Sequence, residues 1–453
     1  MKIIIAGCGK VGKAITESLV AEGHDILIID NDPSVIEAIT NVCDVMGVCG
    51  NCVDSDILEE ANVADADLYI AVADSDELNM LSCFIARRMG ASHTIARIRN
   101  PEYNDKSLGF MKRNLELSMS INPERLAARE LFNILKFPSA VKIETFSHRN
   151  MEMIEVRLKE DSLLDGVKLS DIRQKFKVQV LVGCVQRGDE VFIPYGDFVL
   201  KSGDRIGVTA PHTELAKFIR STGLFQRQAK DVMILGGGRI SYYLSEMLTS
   251  IGSGVKIIDK DEDVCNALSN ALPHAMLILG DGIQQELLLE EGINNTDAFV
   301  SLTGLDETNI LVSTFAMMND VPKVIAKINR DELFSMAEKI GVESIISPKK
   351  IVSNVVLRYA RALENSKGSN IETLYKLMDD KVEAIEFNVR EDSKLANTIL
   401  KDLTLRENIL IIGIVRDRRI IVPEGSTEIL PGDRVVVITT LQGLDDISDI
   451  LAK

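Results

Sequence analysis

The sequence of 453 residues has no tryptophan, only 5% aromatic residues and a shortage of positive charge: 51 Lys and Arg stand against 68 Asp and Glu, a formal net charge of −17. So acidic a chain repels phosphate backbones, which argues against sequence-independent nucleic-acid binding. Few aromatics also means few platforms on which single strands could stack. No apolar run approaches the roughly 18–20 residues needed to span a bilayer, so a soluble chain is expected. Seven cysteines are too few and too scattered for a disulfide scaffold, which points to a reducing cytoplasm. The run Ile3-Ile4-Ile5-Ala6 ahead of Gly7-Cys8 imitates a lipidation signal, but it falls short of the roughly 7–15 apolar residues of a signal core. It reads better as a buried first strand. What remains, 46% hydrophobic and 26% charged, is a globular chain, and roughly 150 residues per domain gives about three domains.

An internal repeat changes that count. Gly7 and Gly9 find Gly236 and Gly238, and Ile28-Ile29-Asp30 finds Ile257-Ile258-Asp259, at an offset of 229 residues. Leu58-Glu59-Glu60 returns as Leu289-Glu290-Glu291. Asp76-Glu77 with Asn79 returns as Asp306-Glu307 with Asn309, and Ile95-Ala96-Arg97-Ile98 as Ile325-Ala326-Lys327-Ile328. Further on, Glu160-Asp161-Ser162 matches Glu391-Asp392-Ser393, and Gly203-Asp204-Arg205 matches Gly432-Asp433-Arg434. One unit is written twice.

Within each unit the character changes. Residues 3–6, 26–29, 45–48, 68–72 and 94–98 are apolar runs rich in Ile, Val and Ala, as strands of a parallel sheet covered on both faces are. Between them, Val11, Ala14, Ile15 and Leu19 share one helix face. Residues 141–220 and 381–451 alternate with period two between Gly and Pro turns, which reads as a small α+β lobe. The predicted class is therefore α/β, with two Rossmann-like doubly wound parallel-sheet lobes, each followed by a small α+β lobe. The four lobes span 1–135, 140–224, 229–365 and 371–453, with polar linkers at 226–230 and 367–370.

Gly7-x-Gly9-x-x-Gly12 follows the first strand, opens a helix, and precedes by about 20 residues a strand ending in Asp30. In such a motif glycines allow the tight turn, the approach of a pyrophosphate and close helix packing, while the helix N-terminus offers free N–H groups. Asp30 would accept hydrogen bonds from a ribose diol and repel a 2′-phosphate, which favours NAD or an adenosine nucleotide over NADP. The second copy, Gly236-Gly237-Gly238-Arg239-Ile240, puts Ser241 in place of the third glycine but keeps Asp259. Arg97 and its counterpart Lys327 end apolar strands, where a sheet of this kind lines its ligand crevice. Ala73-Asp74 and Thr303-Gly304 follow the fourth strand of each half and are expected beside the nucleotide.

Cys49-Gly50-Asn51-Cys52 could be a dithiol switch or half a metal site, but Leu279-Gly280-Asp281-Gly282 fills the same loop of the second half without cysteine, and no metal site is expected. The five histidines, His24, His93, His148, His212 and His274, form no acid/base constellation, and the sequence has no catalytic signature motif. The small lobes leave little room for a substrate domain. A non-catalytic role is expected, and an NAD-dependent oxidoreductase built from duplicated Rossmann lobes is the alternative.

The chain resembles the tandem RCK (KTN) family of potassium-transport regulators. The carrying residues are Gly7-Cys8-Gly9-Lys10-Val11-Gly12 with Asp30, Ala96-Arg97, Ile121-Asn122-Pro123-Glu124, and in the small lobes Pro194-Tyr195-Gly196-Asp197 and Pro423-Glu424-Gly425-Ser426, each followed by Gly-Asp-Arg. The resemblance covers essentially the whole chain. It implies NAD or NADH, or ATP or ADP, bound in the larger lobes, with contacts from Gly7 to Val11, Asp30, Ala73, Asp74 and Arg97, and from Gly236 to Ile240, Asp259, Thr303, Gly304 and Lys327. It further implies a homotetramer forming a ring of eight units, cytoplasmic and peripheral on the inner face of the membrane, beneath a membrane potassium-translocating subunit. A soluble gating portion of a channel or antiporter is the related reading.

Overall fold

A computed structural model of the chain describes every residue except 104, 138, 147–150, 225–227, 343, 367–370, 379–380, 418, 442–443, 445 and 453. The linker expected at 226–230 lies partly outside the described residues. The one at 367–370 lies wholly outside, as does His148.

The apolar runs form parallel sheets. In the first, β1 (Lys2–Ala6), β2 (Asp25–Asp30), β3 (Met46–Cys49), β4 (Leu68–Ala71), β5 (His93–Arg97) and β6 (Met119–Ile121) take the order 3-2-1-4-5-6. Ile3, Ile5, Ile28, Leu68 and Ile70 are buried on one face, and Ile4, Ala6, Ile29, Tyr69 and Ala71 on the other. Burial on both faces is why these strands do not alternate. An antiparallel sheet follows, with β7 (Lys142–Phe146), β8 (Met151–Arg157), β9 (Leu181–Arg187), β10 (Glu190–Phe192) and β11 (Arg205–Ala210) in the order 10-9-11-8-7.

The second half repeats the plan. Strands β12 (Asp231–Leu235), β13 (Gly254–Asp259), β14 (Ala275–Leu279), β15 (Ala298–Ser301), β16 (Lys323–Lys327) and β17 (Ser344–Ile346) run 14-13-12-15-16-17. Its antiparallel sheet takes β18 (Ile371–Leu377), β19 (Val382–Asn388), β21 (Ile409–Arg416), β22 (Arg419–Ile421) and β24 (Arg434–Thr439) in the order 18-19-24-21-22, with β20 (Thr398–Ile399) and β23 (Glu428–Ile429) paired apart. The two antiparallel sheets share a core, in which Met151, Met153 and Cys184 pack with Leu377, Ile412 and Val436. The fold class is the one the sequence implied.

Each half also lends a helix to the other. Pro123–Lys136, here the first crossing helix, carries Ala127, Ala128, Leu131, Ile134 and Leu135 on one stripe, and that stripe is buried with Val232, Ile234 and Leu244 of the second half. Pro348–Ser366, the second crossing helix, buries Val352, Val356, Leu357 and Ala360 with Ile3, Ile15 and Leu19 of the first. Spacings of three and four residues put each set on a single helix face. Because that face belongs to the opposite core, the exchange ties the two parallel-sheet lobes together.

Candidate functional site

The strand order reverses between β1 and β4, and an open α/β sheet offers its crevice at that reversal. Here the crevices of both halves open into one cleft of about 1050 Å³. Gly7, Gly9, Lys10, Val11, Asp30, Ala73, Asp74 and Arg97 line it from the first half, and Gly238, Arg239, Ile240 and Lys327 from the second. Of the other residues singled out in the sequence, Cys8, Gly12, Gly236, Gly237, Asp259, Thr303 and Gly304 are not among its lining.

The first glycine loop passes from β1 into the helix Lys10–Ala21, the first loop helix. Gly7 has φ +90°, and a β-carbon there would lie 2.5 Å from Ala73 N, so glycine is required by both backbone and space. At Gly9 a β-carbon would meet nothing within 4 Å; the loop is open on that side. Gly9 caps the helix without a side-chain hydrogen bond, as Gly238 caps the second loop helix, Arg239–Ser250. Two helix N-termini with free N–H groups thus face one cleft, and each attracts anions. Cys8 turns into the core, where burial, then Asp30, pushes its thiol up to about 12.

Asp30 steadies the loop. Its Oδ2 accepts from Cys8 N at 2.6 Å and its Oδ1 from Asp32 N at 3.0 Å. Asp259 repeats this with Gly237 N at 2.5 Å and Asp261 N at 2.9 Å. A carboxylate has about four acceptor sites, so Asp30, which faces the cleft, has two left for a ligand.

Positive charge comes from strand ends. Arg97 is 7% exposed, donates from Nη2 to the Ala73 carbonyl at 2.6 Å and lies 3.8 Å from Asp74. Its Nε is buried with no hydrogen-bond partner. Burial, with Arg99 adding, pulls its guanidinium below the usual range. Lys327 donates to the Leu302 carbonyl at 3.1 Å and is likewise lowered by burial, with Lys10 of the other half adding to the effect. An unmade buried N–H on a cation is costly, and Arg97 bears that cost at the cleft wall.

The cleft also holds groups the motifs did not announce. Arg99, Asn329 and Lys349 line it. Arg99 follows Arg97 by two residues, a spacing that could have flagged it. The repeated Asp76 and Asn79 prove to be ties: Asn79 donates to the carbonyls of Ala73 and Arg97 at 2.9 and 3.0 Å, and Asp76 accepts from the backbone of Arg99 and Asn100. Asn309 and Asp306 repeat both arrangements, with Asn309 also gripping Thr303. Cys49 is exposed and Cys52 buried, both free, and among the described residues no cluster is set to hold a metal ion. No described lining residue is a histidine.

The TrkA-N domain model matches residues 3–110 and 232–348, and the TrkA-C domain model matches 153–223 and 384–452. The chain is similar to a Trk system potassium uptake protein TrkA homolog of Archaeoglobus fulgidus, 32% identical across 99% of this chain and 100% of that one. It is 28% identical to the Trk system potassium uptake protein TrkA of Haemophilus influenzae, across 96% and 95% of the two chains. Among solved structures it is similar to the GsuK RCK domain, with TM-score 0.63, 18% identity and coverage of 96% and 92%. It is equally similar to the GsuK channel bound to NAD, at TM-score 0.63, 18% identity and coverage of 97% and 76%. At that identity the structural likeness speaks for the fold.

Proposed function

The chain belongs to the family defined by the TrkA-N and TrkA-C domains, the tandem RCK (KTN) group, and from that premise we propose that it is a nucleotide-sensing, non-catalytic regulatory subunit of a potassium uptake transporter. The observation that carries the reading is the convergence of two open glycine loops with Lys10, Arg97, Arg239 and Lys327 on one cleft, in a chain whose net charge is −17. The ligand is NAD or NADH, with ADP or ATP as alternatives. The relatives, Trk system potassium uptake proteins, support potassium uptake, and the NAD-bound GsuK channel supports NAD.

In this reading the nucleotide supplies only charge and hydrogen-bonding groups. The loop N–H groups at Gly9 and Lys10 receive a diphosphate, Asp30 accepts from a ribose diol, and Arg97 and Lys327 neutralise the anion from opposite halves. A ligand held by both halves favours one relative setting of the lobes, and the crossing helices carry that setting to the small lobes. Moving such an equilibrium from 1:99 to 99:1 takes about 5.5 kcal/mol of differential binding, which several sites can share. Four chains would form a ring of eight RCK units on the inner face of the membrane, against a TrkH/TrkG-like potassium-translocating subunit.

The test is calorimetric titration of the purified chain with NAD, NADH, ADP and ATP, with NADH absorbance followed over candidate metabolites. Saturable binding without turnover is expected. Absence of binding, or the steady NADH oxidation of an oxidoreductase, would overturn the reading. Light scattering should give a tetramer, and a stable monomer at micromolar concentration would remove the ring.

A further inference from the structure

Arg99 is held by groups from both halves of the chain. Its backbone N–H donates to Asp76 Oδ2 at 2.9 Å, and its Nη2 donates to the Asp74 carbonyl at 2.8 Å. Its own carbonyl accepts from Asn122 Nδ2 and from the Tyr243 hydroxyl, each at 3.3 Å. Asn122 Nδ2 also donates to the Tyr243 oxygen at 3.1 Å, closing a three-membered network. Tyr243 stands on the second loop helix, one turn beyond Arg239, and is buried. Asn122 caps the first crossing helix. Arg99, meanwhile, lines the cleft beside Asp74, and its Nε, like that of Arg97, is buried with no hydrogen-bond partner.

Two neighbouring guanidinium groups on one wall of the cleft form a receptor for an anionic oxygen through their Nη donors, the Nε atoms being shut off from it. The fork geometry suits phosphate, and a charge-assisted bond there is worth about twice a neutral one. Glu124, 4.0 Å from Arg99 Nη1, only partly offsets the charge. We infer that Arg99 hydrogen-bonds a phosphate oxygen of the nucleotide held by the first glycine loop, and that Tyr243 of the second half is its positioning residue. The affinity of the first site is thereby set by the placement of the second loop helix. The link is built once. The repeat puts Ala14 where Tyr243 stands, and Asn329 where Arg99 stands. At Ala14 the facing crossing helix reaches the backbone through Ser353 Oγ at 3.0 Å, and the same hydroxyl bonds Ser18 Oγ at 2.6 Å, away from the strand end.

This inference rests on the nucleotide reading above, and the experiment separates the two. NAD and ADP are titrated into the full chain and into Arg99→Gln, Arg99→Lys, Tyr243→Phe and the Arg99→Gln/Tyr243→Phe pair. Arg99→Gln should weaken binding by roughly tenfold or more, the worth of a hydrogen bond to a charged group, and Arg99→Lys should recover part of the loss. Tyr243→Phe, which keeps the ring, should weaken binding by roughly two- to tenfold. It should add nothing once Arg99 is Gln. Unchanged affinity in Arg99→Gln would overturn the inference, and so would a Tyr243→Phe loss of equal size in both backgrounds, as a merely structural tyrosine would give. If the unsubstituted chain binds neither nucleotide, the parent reading falls and this one with it.

Discussion

The Ser241 hydroxyl donates to the Gly236 carbonyl oxygen, so a side chain closes the second glycine turn where backbone packing alone closes the first. A β-carbon on Gly12, the matching position, would stand 2.0 Å from Gly7 O. The second turn has opened to admit one. A β-carbon on Gly236 would lie 3.0 Å from the nearest backbone atom of the facing strand end, against 2.5 Å for Gly7. The two halves therefore hold their glycine turns at different distances from the facing strand end.

Exchanging the residues should show this. Gly12→Ser forces the first loop helix off Gly7 O, and such overpacking costs typically about 1–3 kcal/mol. Nucleotide affinity should fall as well, since the loop moves. Ser241→Gly removes one hydrogen bond, about 0.5–1.5 kcal/mol, and places glycine in the first turn of a helix. Ser241 lines the cleft, so nucleotide affinity should fall here too, but by less than in Gly12→Ser. Denaturant unfolding and calorimetry report both; equal affinity losses would mean the turns are equivalent.

Asp30 and Asp259 make the same two backbone hydrogen bonds, but only Asp30 lines the cleft. Replacing either by Ala should cost stability alike, about 1.5–3 kcal/mol for hydrogen bonds to a charged group. Only Asp30→Ala should also weaken NAD binding by more than that loss explains, roughly tenfold or beyond. Titration of both variants below their unfolding midpoints checks it. Matched affinity losses would put a ligand at both carboxylates.

The asymmetry of these pairs marks how far the sequence can be read. The repeat, the apolar runs and the glycine spacing gave the sheets and the loops, because each is a local pattern with a local cause. Asp76 and Asn79 were visible as recurring letters, but apart from Ala73 their partners lie 18 or more residues away, at and beyond the end of β5, and no spacing rule connects them. The crossing helices were harder still. Their stripe of Ala127, Leu131 and Ile134 announces a buried face without saying whose core buries it. Arg99 falls past the strand end, and its two-residue spacing from Arg97 is the only mark it leaves in the sequence.

The helix exchange has a measurable signature. Leu131 is fully buried in the core of the second half although it belongs to the sequence of the first. Leu131→Ala should cost about 2–5 kcal/mol, as buried leucine truncations do. Hydrogen exchange should then quicken at Val232–Leu235 before it quickens at Ile3–Ala6. The reverse order would mean that the first crossing helix packs on its own lobe in solution.

The same helix carries a titrating group. Burial pushes the Glu130 carboxyl up to about 7; Glu144 and Glu155 add to the rise, and Lys142 and Arg358 oppose it. Its ordinary value is 4.5, so between those values the folded chain holds a proton that the unfolded chain has released. Stability from this group is full below the unfolded value and is lost as pH climbs through the folded one. His24, whose imidazolium form burial disfavours, acts in the opposite sense, but it is present in both proteins of the comparison and cancels. The difference in unfolding free energy between wild type and Glu130→Gln should therefore shift against the wild type on going from about pH 5 to about pH 8. Gln keeps the shape and the hydrogen-bonding capacity but cannot ionise, so parallel pH profiles would show that Glu130 does not change its protonation over this range.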